Sequence, residues 1–227
     1  MIIFSFQPQC LTEQISKQGF VTVDIEKTNF MKQNQRITTD YITDINLWMA
    51  RKLSEKTGIW MPGKNENKLP VLPFWGWYLT DGKNQKPDPD FYYIGSGIGR
   101  NMDDVMLYTL DIPEKYVLLS DINAWYCVME GRPCYEYEPE NVERAKIREF
   151  EKKKSAVYRM PEYTAAEKEA KSIAADNLWN EMEQSWDNIF RLTGRRLKYV
   201  MGMKERYDIQ AVFPFILKKW VVNVEAI

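Results

Sequence analysis

The C-terminal segment, residues 205–224, constrains the fold of this chain more than any other part. Two runs rich in β-branched and aromatic residues, 209–217 and 220–224, are interrupted only by a proline and a Lys-Lys pair. Such runs are typical of strands that lie in a hydrophobic core. The first run opens on two polar residues, Asp208 and Gln210. We therefore predict a buried strand whose entrance carries polar side chains able to take part in chemistry.

Short β-like runs alternate with longer helical patterns along the rest of the chain. The predicted strands cover residues 1–6, 20–24, 72–78, 105–111 and 116–119, and the predicted helices cover 9–17, 38–55, 121–129, 141–158 and 164–192. Ser120 or Asp121 supplies a cap for the helix that follows. Thr164 and Glu167 have the spacing of a capping box.

The composition supports one well-packed domain. At 227 residues, with 44% hydrophobic and 14% aromatic residues, the chain can bury a large core. The helix at 38–55 has an apolar face at helical spacing, formed by Ile42, Ile45, Trp48, Met49 and Leu53. We predict an α+β fold in a single domain, residues 1–227, with a helical insertion at about 141–192.

The absence of histidine excludes several classes of site. Histidine-based triads, histidine zinc sites and histidine proton shuttles cannot be built by this chain alone. Cys10, Cys127 and Cys134 lack metal-ligand spacing, so we predict no metal site and free thiols in a reducing compartment. The glycines of residues 95–99 match no phosphate-binding motif and favour a turn.

Charge and hydropathy bear on location and partners. The net charge of -1 gives no overall attraction to nucleic acid, although the basic run at 152–154 leaves a local patch open. No apolar run approaches the roughly 20 residues that a membrane-spanning helix needs. The apolar start, residues 1–6, lacks the basic region of a signal peptide. We predict a cytoplasmic protein without membrane contact.

Three blocks of sequence, in this order along the chain, resemble one bacterial family. They are Trp75-Gly-Trp77-Tyr78 with Gly82-Lys83 and Lys86-Pro87-Asp88, then Val117-Leu-Leu-Ser-Asp121 with Trp125, then Ile209-Gln210-Ala-Val-Phe213. On these blocks the chain is similar to the uncharacterised family called domain of unknown function 3841 (DUF3841). The resemblance spans most of the chain, and it implies no activity.

A second resemblance rests on the order of the strands. The chain opens on a strand, passes through Ile-Pro-Glu-Lys-Tyr-Val-Leu-Leu at 112–119, and closes on a polar residue followed by Ala-Val-Phe-Pro at 211–214. In this order it is similar to compact ADP-ribosyltransferases, including phage-borne types that modify defence proteins. That resemblance implies a split β-sheet core that binds NAD in a cleft between two small sheets. It also implies transfer of ADP-ribose to a protein or nucleic-acid acceptor.

The same resemblance implies which residues form the site. In such enzymes a His or Arg on the first strand contacts the cofactor, aromatic residues pack on nicotinamide, and a Glu on a late strand orients the ribose or the acceptor. The matching positions in this chain are Ser5 and Gln7 on the first strand, Trp75, Trp77 and Tyr78 on the aromatic strand, and Gln210 on the late strand.

Gln210 is an amide where that pattern has a carboxylate. An amide cannot act as a base, but it can hydrogen-bond a ribose hydroxyl. Strand alternation predicts Asp208, Gln210 and Val212 on one face, so Asp208 is a candidate for the missing carboxylate, and Glu205 is the other. The reaction needs little acid–base chemistry, because nicotinamide is a good leaving group and the site mainly positions NAD.

Each of these residues also has a structural interpretation. The three aromatic residues fill a core by default, Gln210 can satisfy backbone groups, and Asp208 can end a turn. The alternative function is then a non-catalytic interaction or inhibitor protein of the phage or mobile-element anti-defence type. Binding of RNA or nucleotides through Lys152 to Lys154 and exposed aromatic residues is a third possibility.

Overall fold

A computed structural model describes residues 1–24, 39–59, 71–89, 105–135, 138–194, 197–198 and 205–227 of the chain, with the backbone alone at 24, 39–43, 71, 197–198 and 205. The glycines at 95–99 and the side chain of Ile42 therefore lie outside the described part. The chain divides into two compact units, residues 1–120 with 196–227, and residues 121–195. The single domain stays a prediction.

The described residues mix strands and helices, which confirms an α+β fold. The strands are β1 (Ile2–Pro8), β2 (Phe20–Val21), β3 (Val23–Asp24), β4 (Val71–Leu72), β5 (Phe74–Leu79), β6 (Val105–Asp111), β7 (Leu118–Asp121), β8 (Leu197–Lys198), β9 (Glu205–Arg206), β10 (Ile209–Phe213), β11 (Ile216–Leu217) and β12 (Val221–Ala226). The helices are α1 (Cys10–Gln18), α2 (Thr39–Thr57), α3 (Ile122–Met129), α4 (Glu140–Tyr158) and α5 (Ala165–Ser185). Short 3-10 segments occupy Glu114–Tyr116, Trp186–Phe190 and Lys218–Trp220. Each helix in the described ranges is too short or too polar to cross a bilayer.

The longer strands form one six-stranded sheet in the order β12-β6-β1-β5-β10-β7. The first strand of the chain lies in its interior, antiparallel to β6 on one side and to β5 on the other. Strand β10 pairs with β5, and β12 pairs with β6, both antiparallel. As a result β1 and β10 run in the same direction with β5 between them. The split two-sheet core of the ADP-ribosyltransferase type stays a prediction.

Strand pairing and alternation assign the side chains to two faces of this sheet. The first, which we call the Tyr108 face, carries a buried cluster that includes Ile3, Phe74, Tyr108, Leu110, Ala211 and Phe213. Ile15 of α1 packs into the same cluster. The second, which we call the Trp77 face, carries the alternate residues, and Phe6, Trp77, Leu107 and Val212 on it are also buried. Both faces therefore contribute buried residues to the core.

Helix α2 carries most of its predicted apolar face into the core. Ile45, Trp48, Met49 and Leu53 are all buried, as their helical spacing predicts. The helix ends at Thr57, two residues beyond the predicted end at 55.

Gly76 marks a close approach of β1 and β5. A Cβ atom at this position would lie 2.6 Å from Cγ2 of Ile3 and 2.8 Å from the carbonyl oxygen of Phe4. Both distances are shorter than any ordinary contact, so only glycine fits without displacement of β1. The approach brings the side chain of Ser5 next to the backbone of β5.

Two helices of the helical unit, residues 121–195, are capped where the sequence predicts. Oδ1 of Asp121 accepts a hydrogen bond from the backbone N of Asn123 at 2.9 Å, so Asp121 is the cap of α3. At the start of α5, Thr164 and Glu167 form the predicted capping box.

The predicted end of the last helix, at about 192, is wrong. Helix α5 stops at Ser185, and Trp186–Phe190 continues as a 3-10 segment. The hydroxyl of Ser185 donates to the carbonyl of Met182 at 2.6 Å, and such local bonds compete with the regular helical pattern. Ser185 also accepts from the backbone N of Cys134 at 2.9 Å, which fixes the helix end within the unit.

Candidate functional site on the Trp77 face

Gln210 lies at the entrance of β10, directly opposite Trp77 of β5. Its side chain is 5% exposed and belongs to the Trp77 face. The register shifts between Ile209 and Gln210, so a bulge interrupts the alternation that the sequence predicts for Asp208, Gln210 and Val212. Gln210 and Val212 share the Trp77 face, whereas Asp208 precedes the bulge.

Asp208 is fully buried and bound to a neighbouring turn. Its Oδ1 accepts a hydrogen bond from the backbone N of Asp81 at 2.5 Å, and its Oδ2 lies 3.6 Å from Nε of Arg206. The backbone N of Gly82 donates to the carbonyl of Tyr207 at 2.7 Å. Asp81 and Gly82 have φ angles of 50° and 78°, which hairpin turns require. Asp208 therefore stabilises this tight turn against the start of β10.

Ser5 and Gln7 lie on the Tyr108 face, because Ser5 is paired with Tyr108 and Gln7 follows two residues later. The hydroxyl of Ser5 donates to the carbonyl of Trp75 at 2.6 Å. Nε2 of Gln7 donates to the hydroxyl of Ser5 at 2.8 Å. The first bond ties β1 to β5 where the strands approach most closely, and the second lies within β1. Both side chains therefore have structural partners.

Six of the predicted site residues fall into two groups on opposite faces. Trp75, Trp77 and Gln210 lie on the Trp77 face, and Ser5, Gln7 and Tyr78 lie on the Tyr108 face. Phe4 of β1 and Gln210 of β10 are both paired with Trp77 of β5, and Gln7 lies three residues beyond Phe4 on β1. At standard strand spacings this separates Gln7 from Gln210 by about 10 Å along the sheet and about 10 Å across it. The structure does not bring the two groups together.

Two polar atoms on the Trp77 face are buried and have no hydrogen-bond partner among the described residues. They are Oε1 of Gln210 and the hydroxyl of Ser120. Ser120 lies on β7, the neighbour of β10 in the sheet. Leu119 packs against the cluster of the Tyr108 face, so alternation places Ser120 on the opposite face, with Gln210. In the sequence, Ser120 is a single hydroxyl residue after an apolar run. That pattern is also typical of a helix cap, the role that Asp121 has here.

These groups can bind a polar ligand, but they cannot abstract a proton. The amide oxygen of Gln210 can accept from a hydroxyl or an amide N–H, and the hydroxyl of Ser120 can donate or accept. The indole of Trp77 can pack against a flat ring. Glu205 pairs with Lys198 through the backbone of β9, and its side chain lies outside the described part. In the ranges that the structure covers, no three Cys, Asp or Glu side chains cluster as metal ligands.

Tyr108, on the other face, carries a perturbed phenol. Burial raises the pKa of Tyr108 above its ordinary value of 10.0, and a hydrogen bond with Thr12 lowers it by less. The two hydroxyl oxygens are 2.6 Å apart. The phenol is therefore neutral at physiological pH and serves as a core hydrogen-bonding group.

Comparison with known proteins places the chain in a family without naming an activity. No curated protein and no solved structure matches it. A family model matches residues 2–222, which is nearly the whole chain and includes the three blocks of the first resemblance. The chain therefore belongs to the family described as domain of unknown function (DUF3841).

Proposed function

We propose that this chain binds NAD on the Trp77 face and transfers ADP-ribose to a protein or nucleic-acid acceptor. The observation that carries the proposal is the buried Oε1 of Gln210, which has no donor among the described residues. A buried acceptor without a donor costs about 1–3 kcal/mol. Native structures keep such groups mainly where a ligand, a water or a catalytic role compensates the cost. The ribose hydroxyls and the carboxamide of NAD supply donors of the required kind.

The position of Gln210 supports this assignment. It lies opposite Trp77 at the entrance of β10, so an amide and an indole share one face at the start of a strand. In an ADP-ribosyltransferase-like fold, this is the place of the residue that orients the nicotinamide ribose. The fold of that type, with a cleft between two small sheets, is part of the proposal.

The proposed reaction is a displacement at C1′ of the nicotinamide ribose. The bond from C1′ to the nicotinamide nitrogen breaks, and nicotinamide leaves with the electron pair. A nucleophile of the acceptor forms the new bond to C1′ and releases its proton. The amide dipole of Gln210 stabilises the positive charge that develops on the ribose, and the site holds the reactants in line. Asp208 stabilises the turn, and Glu205 remains the candidate carboxylate for the proton.

The second candidate is a non-catalytic interaction or inhibitor protein, of the phage or mobile-element anti-defence type, on the same fold. It is favoured by the partners that the polar side chains already have. Asp208 is hydrogen-bonded to Asp81, and Ser5 and Gln7 are hydrogen-bonded to Trp75 and to each other. Because these side chains already have partners and Gln210 is an amide where a carboxylate is expected, the site could bind a ligand without catalysing a reaction.

A labelling experiment separates the two candidates. Purified protein is incubated with cell extract and NAD that carries a biotin on its adenine, and released nicotinamide is measured by chromatography. We expect both nicotinamide and biotin-labelled macromolecules, and we expect protease and nuclease treatment to identify the acceptor class. If extracts from several bacteria give neither nicotinamide release nor biotin labelling, the transferase is excluded and the interaction protein remains.

The matched variants are Gln210→Leu and Gln18→Leu. The first removes the buried acceptor at nearly constant volume, and the second changes an exposed glutamine at the end of α1. We expect loss of labelling in the first and wild-type labelling in the second. Labelling that survives Gln210→Leu would show that the site assignment is wrong even if the activity is real.

A further inference from the structure

The helical unit carries a two-helix projection whose end we call the helical arm, residues 151–171. It comprises the last two turns of α4, the connection 159–164 and the first two turns of α5. None of its residues, all of which the structure describes, is buried. In α4 as a whole the buried residue is Phe150, just before the arm begins. The arm therefore contributes little to a hydrophobic core, and its surface is available to a partner.

Two tyrosines dominate this surface. Tyr158 is 81% exposed and Tyr163 is 91% exposed. The other exposed residues of the arm are charged, polar, alanine or proline. A residue at the position of Tyr163, just before the cap, usually packs against the fourth residue of the helix. Here that residue is the charged Lys168, so this packing does not explain the tyrosine.

The connection that presents the tyrosines is held in one geometry. Glu167 accepts hydrogen bonds from the backbone N atoms of Tyr163 and Thr164, at 3.1 and 2.8 Å. Lys171 donates to the carbonyl of Tyr158 at 3.3 Å and lies 5.8 Å from the centre of its ring. A fixed turn with two aromatic rings loses little conformational entropy when it binds.

The charges around the tyrosines are predominantly positive. Lys153 is paired with Glu181, Lys171 with Glu162, and Glu167 belongs to the capping box. Among the described residues, four exposed cations of the arm have no partner: Lys152, Lys154, Arg159 and Lys168. Two exposed anions of the arm, Glu151 and Glu169, also have none within the described ranges. Lys154 and Tyr158 are four residues apart in α4 and thus lie on one helix face.

We propose that the helical arm binds single-stranded nucleic acid. Isolated aromatic rings among cations are the pattern that binds unpaired bases by stacking and phosphates by charge. A protein partner of stable affinity instead needs a continuous apolar centre in an interface of about 800 Å² on each side, and the arm has none. Tyr158 and Tyr163 stack on bases, and the four unpaired cations contact phosphates. The inference does not depend on NAD binding.

The test is a fluorescence anisotropy titration with a labelled 20-nucleotide oligo(dT). With four phosphate contacts, affinity falls by about 50-fold between 50 and 200 mM salt. Each of Tyr158→Ala and Tyr163→Ala weakens binding by about five-fold or more. The double variant Lys154→Glu with Lys168→Glu lowers the salt dependence. The controls are Phe20→Ala and Lys17→Glu, an exposed aromatic residue and an exposed cation outside the unit.

The variants are expected to fold, because the two tyrosines are almost fully exposed, and circular dichroism checks this for each. Wild-type affinity in the tyrosine and lysine variants would overturn the proposal, as would absence of binding at 50 mM salt. If the protein bound a duplex of the same length with equal affinity, the proposed stacking of the tyrosines on unpaired bases would be overturned. Tighter binding of polyglutamate than of oligo(dT) would assign the arm to an acidic protein instead.

Discussion

Replacement of Asp208 is expected to destabilise the fold rather than to abolish a chemical step. The carboxylate is fully buried, accepts a hydrogen bond from the backbone N of Asp81 and lies 3.6 Å from Nε of Arg206. A hydrogen bond to a charged group contributes about 1.5–3 kcal/mol. The side chain of Arg206 is 22% exposed, so loss of that ion pair adds less than a fully buried pair would.

We therefore expect Asp208→Ala to lower the free energy of unfolding by about 3 kcal/mol, and Asp208→Asn, which keeps an acceptor, by about half as much. Urea denaturation followed by tryptophan fluorescence measures both. At an m-value of about 3 kcal/mol/M, the alanine variant loses about 1 M in midpoint. Asp176→Ala, at an exposed position of α5, is the control and should stay within about 0.5 kcal/mol of wild type.

The opposite pattern would refute this reasoning. If both variants of Asp208 kept the wild-type midpoint but lost nicotinamide release, the carboxylate would act in catalysis and not in the turn. If both midpoints fell and the residual folded protein kept its activity, the structural role would be confirmed.

Three further predictions concern stability. Gly76→Ala should lower the free energy of unfolding by about 1–3 kcal/mol or more, because the added Cβ meets the backbone of β1. Gly58→Ala has open space around the added Cβ but a φ of 67°, so it should lower the free energy of unfolding by about 1 kcal/mol. Urea denaturation midpoints compare the two variants. Because the pKa of Tyr108 is raised in the folded state, its contribution to stability is fully present below pH 10.0 and is lost as the pH rises through the folded pKa. In a pH series, Tyr108→Phe should therefore lose stability less steeply than wild type, and burial also raises the pKa values of Tyr126 and Tyr135, so part of the slope remains. Thr164→Ala removes the cap of α5 and should cost about 1 kcal/mol, seen as a lower thermal midpoint; an unchanged midpoint would contradict the capping role.

Local signals in the sequence predicted the local structure well. Asp121 caps α3, and Thr164 forms a capping box with Glu167, since each motif involves residues only a few positions apart. The predicted end of α5 is wrong in part because the backbone N of Cys134 donates a hydrogen bond to Ser185, and a bond between distant segments leaves no local signal.

The geometry of the candidate site depends on long-range pairing, which no local pattern contains. Trp75 and Trp77 share one face, as alternation along a strand requires, but the position of Ser5 and Gln7 on the other face depends on how β1 pairs with β5 and β6. The bulge next to Gln210 likewise depends on its pairing with β5. Ser120 has no distinct sequence signal as a site residue, because a hydroxyl directly before Asp121 is also typical of a helix cap.

Calorimetric titration of NAD into wild-type protein, Gln210→Leu and Gln18→Leu measures whether the amide oxygen of Gln210 binds NAD. If the buried amide oxygen binds NAD, wild type and Gln18→Leu bind with equal affinity, and Gln210→Leu binds at least ten-fold more weakly, since a lost hydrogen bond of about 1.5 kcal/mol corresponds to that factor. Gln210→Leu should also be as stable as wild type without NAD, because it removes an unpartnered polar atom. Equal NAD affinity in all three proteins, or no binding by wild type, would contradict the account.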